Sequence, residues 1–230
     1  MAFEDNVFIN CPLDEDFFPL LRPLLFTVIY SGLNPRIALE MMDSGEPRIE
    51  KIVRLIKESK YAIHDLSRIK AQKAGEVFRL NMPFELGLDV GCRRFADDHR
   101  REKECLILET ERYRYQAALS DLSGCDIGAH RDQPEEVIVQ VRSWLHCETS
   151  SVVPGPTQVW GAFNDFVAAN YQELHASGFS DTDVERLPVN ELIDRMKTWV
   201  KCCASRPGLD VVASPQSASP VASHSAYSPA

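Results

Sequence analysis

Apolar positions along the chain follow two rhythms, short continuous runs and longer stretches of helical period, and the two alternate. Val7-Phe8-Ile9-Asn10 is a short run of the kind expected for a buried strand. Phe17, Leu20, Leu21, Leu24, Leu25, Val28 and Ile29 then recur at helical spacing, and Gly32 stands where that helix stops. Pro23 lies inside the pattern, and an interior proline costs about 3 kcal/mol or forces a kink. The pattern therefore predicts a bent or late-starting helix. Pro35 to Glu40 reads as a second strand, Ile49, Ile52, Val53 and Ile56 as a second helix, and Tyr61-Ala62-Ile63-His64 as a third strand. Pro83 opens a helix through Leu88, Cys105-Leu106-Ile107-Leu108 supplies a fourth strand, and Asp126-Ile127-Gly128 a weak fifth. Pro134 begins a further helix, because a missing N–H costs nothing in a first turn, with Val137, Val141, Trp144 and Leu145 on one face.

Alternation of strand and helix implies right-handed crossovers and a parallel sheet with helices on both faces. This α/β domain is expected to span residues 1–148. A Ser/Pro/Gly-containing connector follows over 149–156. Trp160, Phe163, Val167, Tyr171 and Leu174, then Val189, Leu192, Ile193, Met196 and Val200, predict a helical hairpin over 157–203. Those apolar faces need burial against the sheet domain, a second copy or a partner protein. Residues 204–230 collapse to Ser, Pro and Ala, too little apolar surface to offset ordering entropy, and predict a disordered tail.

Composition narrows the partners. The chain has 230 residues, 44% apolar and 26% charged, with a formal net charge of -9 and pI near 5.2. That balance argues against nucleic acid and anionic membranes as partners. No stretch is long enough to span a bilayer, and the N-terminus lacks a basic signal region. Seven cysteines without Cys-x-x-Cys spacing suit a reducing compartment, so a cytoplasmic location is expected.

Ligands of open parallel sheets bind beyond the C-terminal ends of the strands. The residues there are polar: Asn10, Cys11 and Asp14 after the first strand, Glu40 and Asp43 after the second, His64, Asp65 and Ser67 after the third, Glu109 after the fourth. Such acids can also cap the helices that follow. Glu85, in Asn81-Met82-Pro83-Phe84-Glu85-Leu86-Gly87, falls in the first turn of its predicted helix, whose dipole favours an ionised carboxylate. Phe84 and Leu88 can turn inward, and Gly87 and Gly91 would allow close approach to the sheet. A fixed anion there suits a reaction with a cationic transition state, such as departure of a base from a ribosyl carbon. The bland alternative is a third-position glutamate closing a capping box. Cys11 beside Pro12 reads as a small buried residue or a reactive thiol.

Tyr61-Ala62-Ile63-His64-Asp65-Leu66-Ser67, followed after a variable loop by Met82-Pro83-Phe84-Glu85-Leu86-Gly87-Leu88, resembles the strand-Asp and Phe-Glu-Leu-Gly helix arrangement of nucleoside 2-deoxyribosyltransferase-like and TIR-like proteins. The resemblance covers residues 5–148 in topology and short segments in sequence. It implies a flavodoxin-like parallel sheet and cleavage of N-glycosidic bonds of nucleosides or NAD, in many bacterial TIR-like members as defence against phage. It maps Glu85 onto the family glutamate and Asp65 onto a strand-end acid that could hold ribose hydroxyls, with Asn10 and Cys11 lining the pocket. Arg48, opening the second helix after Asp43-Ser44-Gly45-Glu46-Pro47, could reach a phosphate or carboxylate. The loop from Arg68 to Leu80, with Lys70, Lys73, Arg79 and neighbouring Asn81, is longer and more basic than the transferases' connection, and the first strand lacks their Gly-Pro-Phe-like turn. That loop could form a phosphate-facing lid.

A Walker loop, a Gly-x-Ser-x-Gly elbow and a Gly-x-Gly-x-x-Gly turn are all missing from the sequence, and its six histidines stand apart from paired cysteines. No cofactor or metal is therefore expected, with NAD entering as substrate. The competing expectation is a non-catalytic module of the same fold that senses a nucleotide signal or docks to a partner.

Overall fold

In a computed structural model of the protein, which describes residues 2–40, 43–68, 80–117, 119–122, 125–149 and 152–204, five strands form one parallel sheet. They are β1 (Asn6–Asn10), β2 (Asn34–Ile37), β3 (Tyr61–Asp65), β4 (Glu104–Glu109) and β5 (Ile127–Ala129). Their order is β2-β1-β3-β4-β5, the flavodoxin-like arrangement. Val7 to Asn10 register with Tyr61 to His64, and Tyr61 to Asp65 with Glu104 to Leu108.

The helices are α1 (Phe18–Tyr30), α2 (Arg48–Lys57), α3 (Asn81–Phe95), α4 (Pro134–Glu148), α5 (Pro156–Ala176), α6 (Asp181–Glu185) and α7 (Val189–Ala204). Strand side chains alternate, so each strand feeds both faces. Val7, Ile9, Ile63, Leu106 and Leu108 join the large core under α1 and α4. Phe8 and Ala62 pack with Ile52, Leu55 and Ile56 of α2, while Ile107 and Ile127 pack with Met82 and Leu86 of α3.

Several local expectations are corrected. The second strand ends at Ile37, and Ala38–Glu40 closes as a 3-10 turn in which the Glu40 carboxylate accepts from the Ile37 N–H at 3.2 Å. Helix α1 does start late, after a 3-10 turn at Glu15–Phe17, and runs through Pro23. Helix α3 begins two residues before Pro83 and continues to Phe95, with the proline tolerated among first-turn residues whose N–H groups have no helical partner. Phe84 is exposed, Gly87 faces open space, and an added Cβ at Gly91 would meet only the ring of Phe95. These glycines therefore do not bring α3 onto the sheet.

The helical pair packs on the sheet domain through α1 rather than standing apart, and the short α6 is interposed between its arms. Phe26 of α1 meets Phe163 and Phe166 of α5 and Trp199 of α7 at ring-centroid distances of 5.5, 5.7 and 5.9 Å. Arg142 of α4 donates to the Val153 and Pro154 carbonyls, pinning the connector. No described helix is long and apolar enough to cross a membrane. The basic stretch 69–79 and the tail from 205 onward lie outside the described residues.

Candidate functional site

The strand order reverses between β1 and β3, and the polar ends of those two strands meet there. Asn10 ends β1 and His64 and Asp65 end β3. The Asn10 amide nitrogen lies 2.9 Å from His64 Nδ1 and donates at 2.9 Å to the Met82 carbonyl at the start of α3. His64 Nε2 lies 3.2 Å from Asp89 Oδ2, and Asp89 Oδ1 lies 3.0 Å from Lys103 Nζ. Lys103 also donates to the Ile56 and Ser59 carbonyls. A buried polar chain thus runs from the C-terminal rim to the opposite edge, where Lys103 precedes β4. Burial acts to raise the Asp89 carboxyl, but the bonds and charges of His64 and Lys103 outweigh it and hold Asp89 below the usual carboxylate range.

Glu85 is the fifth residue of α3, in its second turn, and 4% exposed. It closes no capping box, since the α3 N-cap is Leu80 without a side-chain bond. Its partner is Arg48, the first residue of α2, at 3.1 Å. Burial pushes the Glu85 carboxyl above its ordinary range, against the opposing pull of Arg48 and His64. Cys11 is buried on the same rim, and its thiol is raised well above normal by desolvation first and then by the charges of Asp65, Glu85 and Asp14. Those acids therefore share one neighbourhood with it, and the thiol stays protonated rather than reactive.

Asp65 is held on both sides. Its Oδ1 accepts from the Ser67 N–H at 2.9 Å and hydroxyl at 2.5 Å, and its Oδ2 lies 3.1 Å from His130 Nε2. His130 Nδ1 in turn accepts from the Asp132 N–H, within a turn whose Arg131 and Asp132 adopt φ of 54° and 55°. Beside it, Arg114 spans the Glu109 carboxylate at 2.6 and 2.9 Å and the Ser67 carbonyl. Asp65 is thus oriented by His130, just after β5, and by Ser67 in its own turn.

The other expected residues are dispersed. Asp43 is exposed, its carboxylate accepting from the Gly45 N–H at 2.9 Å, and Lys51 donates to its carbonyl. Asn81 is exposed at the first position of α3, and Arg79 lies outside the described residues. The pattern reading missed Asp89, Lys103 and His130. Asp89 carried a usable signal, since Met82, Glu85, Leu86 and Asp89 form a helical stripe. Cavities of about 280 Å³ between α2 and α3 and about 310 Å³ among α1 and the C-terminal helices are mainly apolar, and Asn10, Asp65 and Glu85 line neither.

No family model matches the chain, and no curated relative or solved structure is significantly similar to it. A desolvated carboxylate paired with one half-exposed guanidinium can stabilise developing positive charge once that guanidinium turns to another anion. Among the described residues no three metal-ligating side chains converge.

Proposed function

We propose that the protein cleaves the N-glycosidic bond of NAD or a related nucleotide or nucleoside, in the manner of the nucleoside 2-deoxyribosyltransferase-like and TIR-like proteins it resembles, and that it serves in defence against phage. The observation that carries this reading is the Glu85 carboxylate, buried at the switch point of a flavodoxin-like sheet with Arg48 as its counter-ion. In hydrolysis the C–N bonding pair leaves with the base, the anomeric carbon becomes cationic beside Glu85, and water oxygen bonds to that carbon while its proton passes to the carboxylate. Arg48, half exposed, is the group free to move onto a ligand phosphate as substrate enters. Asp65, with both oxygens engaged, orients the rim.

The test is base release from NAD and a nucleoside panel, followed by mass spectrometry. Glu85→Gln keeps shape and removes charge, so turnover should fall by orders of magnitude while folding and binding persist, the lost interaction being made in the transition state. Undiminished base release by that variant would refute the role. The engagement of Asp65 by Ser67 and His130, and of Glu85 by Arg48, favours one alternative, a module that binds a nucleotide signal without turning it over. Saturable binding with no product from either protein would select it.

A further inference from the structure

Among the described residues, the polar groups at the switch point include three buried side-chain oxygens with no hydrogen-bond partner, Asn10 Oδ1, Asp65 Oδ2 and Asp89 Oδ1. Asn10 is 2% exposed, and both hydrogens of its amide nitrogen are committed, one to the Met82 carbonyl and one to His64 Nδ1. A main-chain carbonyl only accepts, so the Met82 contact fixes which end of the amide faces α3. His64 Nδ1 is then an acceptor, and the ring proton sits on Nε2, facing Asp89. The remaining atom, Asn10 Oδ1, is buried with no hydrogen-bond partner among the described residues. Stranding such an acceptor costs roughly 1–3 kcal/mol.

The two carboxylate oxygens each have a charged group or an imidazole within ion-pair distance, Asp65 Oδ2 with His130 at 3.1 Å and Asp89 Oδ1 with Lys103 at 3.0 Å. Asn10 is different, and it stands at the end of β1 where the strand order reverses. Its anchor, Met82, precedes Glu85 by three residues on the buried face of α3. The two positions are separated by a rise of about 4.5 Å along one helix face.

We propose that Asn10 Oδ1 accepts a hydrogen bond from the 2′-hydroxyl of a ribosyl ligand whose anomeric carbon faces Glu85, making the site selective for ribosyl over 2′-deoxyribosyl compounds. The inference rests on the N-glycosidic reading and names its substrate class. The 2′-hydroxyl is the donor on the carbon next to the anomeric centre, and Asn10 is anchored to Met82, three residues before Glu85 on the same face of α3. Hydrogen bonds to that hydroxyl strengthen as positive charge develops. Because Asn10 is held by two donor bonds, it cannot turn to satisfy itself. A ligand lacking the hydroxyl leaves the oxygen stranded, and loss of a partner from a buried polar group is the strong form of discrimination.

The experiment uses the full chain labelled with ¹³C and ¹⁵N, with the Asn10 side-chain carbonyl resonance assigned by its loss in Asn10→Leu. Adenosine, 3′-deoxyadenosine, 2′-deoxyadenosine and NAD are titrated in turn. The expected result is that adenosine, 3′-deoxyadenosine and NAD bind and shift the resonance, while 2′-deoxyadenosine binds roughly ten- to a hundredfold more weakly and leaves it in place. Should Asn10→Leu fold, it should bind the ribo and 2′-deoxy compounds alike; should it not, assignment from backbone connectivities preserves the measurement. Equal binding of both adenosines with an unmoved resonance, as when a water satisfies the oxygen, would overturn the hydrogen bond and spare the glycosidic reading. Binding by none of the four would overturn that reading and the selectivity together.

Discussion

The two faces of the sheet are stabilised by opposite means. Under α1 and α4, extended by α5 and α7, the core is continuous and apolar, with Leu24, Leu25, Val28, Ile63, Leu108, Val141 and Met196 in one cluster. Under α2 and α3 the apolar residues fall into two smaller clusters, and Asn10, His64 and Asp89 occupy the same face. The first face tolerates changes of shape within limits of volume. The second depends on every member of a polar chain being present, because a half-satisfied network is worse than none. The polar residues at the rim are thus held through one side of the sheet while the other side supplies bulk stability.

The sharpest way to break the comparison is to remove one member of the buried ion pair. Asp89→Leu leaves Lys103 without its counter-charge and His64 without its acceptor, and should cost about 3–5 kcal/mol. The double change Asp89→Leu with Lys103→Met should recover much of that loss. Urea denaturation of the four proteins of this cycle measures the coupling, and a single-variant cost within the roughly 0.5 kcal/mol of a surface substitution would show that the chain carries no weight.

On the apolar face, Leu24→Ala should cost about 2–5 kcal/mol by opening a cavity. Acid separates the two mechanisms. Asp89, held below its ordinary value, contributes stability that is present above the unfolded carboxylate range and lost as pH falls through the lowered folded value. Glu85 has the opposite sign. Its raised value means that ionisation weakens the fold as pH rises through the ordinary range, so protonation on acidification relieves that cost before Asp89 titrates. Stability measured from pH 8 down to pH 2 should therefore keep its shape in Leu24→Ala and change shape in Glu85→Gln and in the Asp89 double variant. Parallel curves for all of them would contradict this division.

A smaller effect is expected at Gly128 of β5, where an added Cβ would lie 2.9 Å from Leu108 Cδ2 and 3.0 Å from Gln140 Oε1. Gly128→Ala should cost about 1–3 kcal/mol through overpacking against Leu108 of β4 and Gln140 of α4. Gln140→Ala in that background should restore part of the loss, and no recovery would place the strain against β4 instead.

The division of faces also explains what could be read from the chain. Apolar runs at β1, β3 and β4 and the helical period of α1 and α4 were legible because their partners are apolar and interchangeable, so the pattern alone carries the information. The rule that ligands meet strand ends located Asn10, His64 and Asp65 for the same reason of geometry. Helix α3 was misread in extent because its pattern is inverted: Met82, Glu85, Leu86 and Asp89 are buried while Leu80, Phe84 and Phe95 are exposed. Acidic residues can face inward only where cations and donors from distant elements meet them, and Lys103, His64 and Arg48 lie at no recognisable spacing from α3. Lys103 itself sits in a run of charged residues that reads as solvated surface. Long-range pairing of this kind leaves no periodic trace.

Lys103 also offers a clock. Its amine is 1% exposed and held by two carbonyls and Asp89, so an acylating reagent meets it only when the α3 layer lifts from the sheet. Under fast reclosing, the labelling rate of that one nitrogen reports the equilibrium of local opening, as amide exchange does for backbone groups. Compared with exposed lysines of the same chain as internal standards, it would time the breathing of the layer that carries Glu85, and a ligand seated at the rim would slow it without touching the amine.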